Sequence, residues 1–106
     1  MSTFAVAHLR DVRTGAPIVE YLEKIDATLE PFEGRFVDHG DKGEVIEGDW
    51  PGFLIVIEFP DRGRARGWHN SKSYQDILPL RLENAEGSVI FVDTLEPGHK
   101  ATDVLA

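Results

Sequence analysis

Phe4, Val6, His8 and Arg10 alternate with Ala5, Ala7 and Leu9, and this period of two predicts a strand over residues 4–10. Thr14-Gly15 breaks the pattern. Pro17 suits the first turn of a helix, where a missing N–H costs nothing. Ile18, Leu22, Ile25 and Leu29 follow at helical spacing, with Glu20, Glu23, Lys24 and Asp26 on other faces. Pro31 and Gly34 close this helix. Arg35–Asp38 reads as a short strand, His39-Gly40-Asp41-Lys42-Gly43 as a turn, and Glu44–Glu47 as strand again. Gly48–Gly52 is a second turn. Phe53–Phe59, rich in β-branched and aromatic residues, is the central strand, and Pro60 ends it. Asp61 can cap a helix with Ala65 and Trp68 on one face. Asn70-Ser71 interrupts it and opens a further turn carrying Tyr74, Ile77 and Leu78. Pro79 predicts a break or kink, with a restart through Leu82–Ala85 and a stop at Gly87. Ser88–Thr94 is the last strand.

The order β-α-β-β-α-β is the split βαβ arrangement. It predicts an α+β ferredoxin-like domain: a four-stranded antiparallel sheet with helices on one face. The other face is not wholly polar. Phe53–Phe59 is apolar on both sides apart from Glu58, and the last strand offers Val89 and Phe91 to one side, Ile90 and Val92 to the other. Sheets buried on both faces read this way. With two helices available, a second copy of the chain is the economical cover, so a homodimer packed sheet to sheet is expected. A monomer with an open patch, or with its tail folded over it, is the alternative. Residues 1–94 form one domain in this reading, and residues 95–106, with Pro97-Gly98, a tail.

The chain has 106 residues and a formal charge of −8, from 19 acidic and 11 basic residues. That field repels phosphate backbones and anionic lipid, which disfavours nucleic-acid and membrane-surface partners. The longest apolar run, Phe53–Ile57, is too short to span a bilayer. There are no cysteines, which excludes disulfides, thiolate nucleophiles and Cys-based zinc sites. Met1-Ser2-Thr3-Phe4 shows no secretory pattern. A cytoplasmic protein is expected.

Glu47-Gly48-Asp49-Trp50, the strand Phe53–Phe59, Pro60, Ala65, Trp68, Ser71, Tyr74 and Arg81 together resemble the signature of domain-of-unknown-function family thirteen-thirty. Tyr21, Gly34-Arg35-Phe36 and Val89–Val92 extend the match to about Phe4–Asp93. The resemblance implies a dimeric α/β barrel of two ferredoxin-like subunits. The wider superfamily includes cofactor-free monooxygenases acting on aromatic substrates, chlorite dismutases and small binding proteins; the family itself carries no established activity. Two departures stand out. His69 follows Trp68 where an aromatic is more usual, and the turn Asp38–Lys42 is slightly long.

Two constellations could carry chemistry. In the first, Trp68 and Tyr74 wall an apolar pocket, Arg81 holds a substrate carboxylate or enolate by a forked contact, and Ser71 donates a hydrogen bond. The same residues also read structurally: Ser71 as a helix N-cap, Trp68 and Tyr74 as helix-to-sheet packing, Arg81 as partner of Glu47 first and Glu58 second. In the second, His8, Arg10 and Glu58 share the face away from the helices. There His8 and Glu58 would exchange protons with a substrate while Arg10 binds it. Such chemistry needs no metal or cofactor if the substrate is acidic enough. Solvated strand ends, or a buried salt bridge across the dimer, are the alternative. His39, His69 and His99 are weaker: His69 is expected on a solvent-exposed helix face, and no two histidines sit at metal-ligand spacing. A cofactor-independent enzyme on a small aromatic or carboxylate compound, oxygenase or isomerase in type, stands beside a non-catalytic ligand-binding or assembly module.

Overall fold

The computed structural model describes residues 1–40 and 43–106. Strand β1 (Thr3–Arg10) leads to α1 (Ala16–Leu29), a 3-10 turn (Glu30–Phe32), β2 (Arg35–His39), β3 (Phe53–Phe59), α2 (Arg62–Asn70), α3 (Lys72–Leu82), β4 (Glu86–Asp93) and a last 3-10 turn (Ala101–Leu105). The strands pair antiparallel in the order β2-β3-β1-β4. This is the ferredoxin-like arrangement, with β3 inserted between β1 and β2. The broken pair α2–α3 does the work of its second helix.

The helices cover one face. Ala5, Ile57 and Phe59 point into it and meet Ile25 and Leu29 of α1 and Ala65, Trp68, Tyr74, Ile77 and Leu78 of α2–α3. Asp61 caps α2, its carboxylate accepting the Arg64 N–H at 2.8 Å. Ser71 does two jobs at the α2–α3 junction. Its hydroxyl accepts the Tyr74 N–H at 3.3 Å and donates to the Trp68 carbonyl at 2.6 Å.

Three local expectations are corrected. Pro79 neither breaks nor restarts the helix: α3 runs through it and ends at Leu82. Leu78 and Arg81 are buried on either side of the proline, and this packing outweighs the missing hydrogen bond. Gly87 lies inside β4 instead of stopping a helix. Glu44–Glu47 is not a strand, because β2 is the sheet edge and its ladder to β3 ends at His39 opposite Ile55. Of the turn at His39–Gly43, Asp41 and Lys42 lie outside the described residues.

β2 carries a bulge. Phe36 pairs with Ile57 and Asp38 with Val56, so Val37 is the extra residue. Phe36 and His39 therefore face the helices while Asp38 faces away. Gly52 enters β3 at φ +85°, and a Cβ there would stand 2.1 Å from the Leu9 carbonyl oxygen. Gly87 is similarly close to the His8 carbonyl. Gly52→Ala is expected to cost about 1–3 kcal/mol, through overpacking against backbone that cannot give way; chemical denaturation reads it, and an unchanged midpoint would contradict this geometry.

The far side of the sheet is open. Val6 sits opposite Val56 on one side and Ile90 on the other. With Phe4, Leu54 and Val92 they make an apolar stripe in which Ile90 and Val92 are exposed. Arg35, paired with Glu58, borders it. The chain measures 46 × 35 × 19 Å, with a radius of gyration of 15.2 Å, whereas a compact domain of this length would have about 13 Å. It is a plate, not a ball.

Candidate functional site

Between the helices and the inner face of the sheet lies a cavity of about 300 Å³. The end of the layer nearest Phe59 packs solidly. Towards Leu9, Ile55 and Phe53 the helices and sheet diverge, and the space opens there. Its walls are mostly aliphatic and aromatic, with Tyr21, His39, Trp68, His69, Tyr74 and Arg81 among them. Among the described residues, no aspartate or glutamate lines it.

Three helices place the polar set. Tyr21 stands on the buried stripe of α1 with Ile18 and Ile25. Its hydroxyl meets that of Tyr74, on the first turn of α3, at 2.8 Å, with the rings edge to face. Arg81, two turns further along α3, interacts with both hydroxyls and is only 8 % exposed. Burial, and next the neighbouring Tyr74, push the Tyr21 phenol well above its ordinary value, so it stays protonated. Among the described residues no carboxylate pairs with Arg81. Glu58 is on the opposite face with Arg35, and Glu47 lines a separate groove with Trp50 and Leu54. Both expected partners of Arg81 are therefore corrected: the sheet stands between it and them.

Trp68 is held from two sides. Its indole N–H donates to the Thr28 hydroxyl at 2.9 Å, and its ring lies 4.0 Å from that of Tyr74. Ser71 does not line the cavity; its hydroxyl caps α2 and α3 and also meets the Ser73 hydroxyl at 3.3 Å.

His8, Arg10 and Glu58 do share the open face, as strand alternation requires. They do not converge within one protomer. His8 sits opposite Leu54 and Glu58 opposite Phe4, four strand residues apart, or about 13 Å. His8 donates from Nε2 to the Pro51 carbonyl at 2.6 Å and packs on Trp50. Arg10 is exposed at the strand end.

The structure adds three residues to the cavity that sequence reasoning left out of the site. Tyr21 was legible as the i+3 position from Ile18. His39 depends on the bulge, which no pattern announced. His69 is half-buried rather than solvent-facing, because α3 folds back and β4 crosses beside it: its ring is 5.6 Å from Tyr74 and 6.4 Å from Phe91. Burial first, then the Arg81 charge, hold the His69 pKa below its ordinary value. The folded state thus binds fewer protons than the unfolded one. Stability is present above about pH 6.5 and declines as pH falls below it. His69→Gln is expected to flatten that decline in melting midpoints, and equal slopes would contradict it. Among the described residues no cluster of three or more His, Asp or Glu is placed to share a metal ion.

The family model described as "Domain of unknown function (DUF1330)" matches residues 2–95. The chain belongs to this family. No curated protein matches it significantly. Among solved structures, the DUF1330 chain is similar to a protein of unknown function from Rhodopseudomonas palustris, at 14 % identity and TM-score 0.67, covering 91 % of this chain and 84 % of that one. A dimeric ferredoxin-like protein of unknown function from Jannaschia sp. CCS1 matches at 8 % identity and TM-score 0.67, covering 89 % and 100 %. SnoaB, a cofactor-independent oxygenase from Streptomyces nogalater, matches at 12 % identity and TM-score 0.61, covering 93 % and 98 %. These likenesses establish the ferredoxin-like fold of this DUF1330 member. No helix is long and apolar enough to cross a membrane among the described residues.

Proposed function

We propose that the cavity binds a small, largely apolar aromatic compound bearing an acidic oxygen, a carboxylate or an ionisable phenol or enol. The observation that carries this reading is Arg81: a buried guanidinium that, among the described residues, meets phenols and no carboxylate, in a cavity whose described lining holds no acid, inside a chain of charge −8. Arginine keeps its charge in a protein, so an anion is the natural complement. The aromatic walls, Trp68 and Tyr74, suit a planar body. The description of SnoaB as a cofactor-independent oxygenase supports chemistry of oxygenase type on this fold, and an isomerase-type reaction on the same acidic compounds stands beside it in this proposal. A non-catalytic binding module is the second reading, favoured by the absence, among the described residues, of a serine, cysteine or carboxylate in the lining. Thermal-shift measurements over benzoates, naphthoates and phenols test both, because a ligand of the native state raises its midpoint. A shift from no compound would count against the cavity as a site. Turnover with oxygen consumption, or with isomer formation, separates enzyme from binder.

We further propose that a second copy covers the open sheet face, that residues 1–94 are the folded unit with 95–106 a tail, and that the protein works in the cytoplasm. The apolar stripe around Val6, Val56 and Ile90 and the plate-like shape support the dimer, as does the dimeric description of the Jannaschia protein. Every residue from Leu95 to Ala106 is exposed, which supports the tail. Val56→Asp is expected to raise the dimer dissociation constant more than about a hundredfold, since an unpaired carboxylate would be buried. Light scattering showing the wild type as a monomer at micromolar concentration would remove the dimer reading.

A further inference from the structure

We propose that His69 is the proton-accepting group of the cavity, taking the proton of a bound phenol or enol whose oxygen is then held by Arg81. This rests on the reading of the cavity as a ligand site. Its grounds are separate from those for Arg81.

His69 stands in the last turn of α2 and lines the cavity. Tyr74 and Arg81 face it from α3, and Phe91 from β4. On its own helix the nearest polar residues, Arg66 and Asn70, are exposed. Among the described residues, neither ring nitrogen of His69 has a hydrogen-bond partner, and no carboxylate in the lining competes for its proton. Burial and the Arg81 charge keep the imidazole neutral in the empty cavity, the form that accepts a proton. Tyr21 cannot take this role, since its phenol is held protonated. His39, the other imidazole of the lining, is stacked on Phe36 at 4.2 Å, and the Arg81 charge acts on His69.

The step balances. The ligand O–H bond breaks, its proton passes to an imidazole nitrogen, and the electron pair stays on the ligand oxygen. Total charge is unchanged. Before the transfer, Arg81 meets the Tyr21 and Tyr74 phenols, with no carboxylate among the described residues to offset its charge, and would repel an imidazolium. Afterwards one anion lies against both cations, so ionisation of the ligand removes the repulsion that keeps His69 neutral. No oxidant, metal or further base is needed for this step.

The probe is 4-nitrophenol, whose phenolate absorbs visible light, titrated below its own pKa. Wild type is expected to develop the phenolate band on binding while releasing no proton, as read by calorimetry in two buffers of different ionisation heat. His69→Gln is expected to bind the probe and lose the band, and His39→Gln to behave as wild type. The band appearing in wild type with one proton released per probe would overturn the proposal without any variant. So would a band that survives in His69→Gln, or binding by wild type without a band. If His69→Gln does not fold, His69→Asn carries the same comparison. Failure of wild type to bind nitrophenol, benzoate or naphthoate would remove the cavity reading and this proposal together, whereas binding without proton capture removes only the role of His69.

Discussion

Trp68→Ala should lose about 3–5 kcal/mol of unfolding free energy, the range for truncating a large buried aromatic. Trp68 is 3 % exposed and lies between Phe59, at 5.4 Å, and Tyr74, at 4.0 Å between ring centroids. Its N–H also ties α2 to Thr28 of α1. Truncation removes the packing and the tie in one step, in a domain whose whole stability is about 5–15 kcal/mol. Trp68→Phe separates the two contributions: it keeps most of the volume and should cost about 1 kcal/mol for the lost hydrogen bond, plus a smaller packing loss. Urea denaturation followed by circular dichroism measures both. A loss below about 1 kcal/mol in Trp68→Ala would mean that the indole is not the keystone its contacts describe.

Arg81→Met should do the opposite. Stability is expected to hold or rise, while affinity for a carboxylate or phenolate falls about a hundredfold, the equivalent of one or two charge-assisted hydrogen bonds at about 1.5–3 kcal/mol each. Breaking a buried ion pair would instead cost about 3–5 kcal/mol, because the abandoned charge has no partner. Here no carboxylate among the described residues is abandoned: Tyr21 and Tyr74 remain bonded to one another at 2.8 Å. Melting without ligand, and isothermal titration with benzoate or naphthoate, give the two halves of the result. A midpoint that drops sharply without ligand would make Arg81 a structural residue.

Much of the framework could be read from residue order. Alternation placed the two faces of β1, β3 and β4 correctly, and with them the apolar stripe of Val6, Val56 and Ile90. Asp61 and Ser71 announced their caps because capping is a local event within four residues. Pro79 and Gly87 misled for the converse reason. Their local preferences were overruled by packing around Leu78 and Arg81, and by the close approach of β4 to His8, neither of which is local. Trp68, Tyr74 and Arg81 were found as a group, but their surroundings were not. Which carboxylates stay away from Arg81 is a property of the sheet that separates them, visible only once the layers are assembled. His69 was placed on a solvent face because nothing in α2 itself reveals that β4 crosses beside it.

The extra residue in β2 has a bearing on how such cavities diversify. Val37 shifts the parity of the strand, so the imidazole of His39 is delivered inward and the carboxylate of Asp38 outward. In a homologue that kept this sequence but paired without the bulge, Asp38 would face inward with Phe36, and the interior would trade a base for an acid. The proposed preference for anionic guests would thus turn towards neutral or cationic ones through a change of pairing register in an edge strand, with every helix left in place. Alignments that match these chains by residue identity alone would pass over that change, because it alters which residue faces inward and not which residue is present.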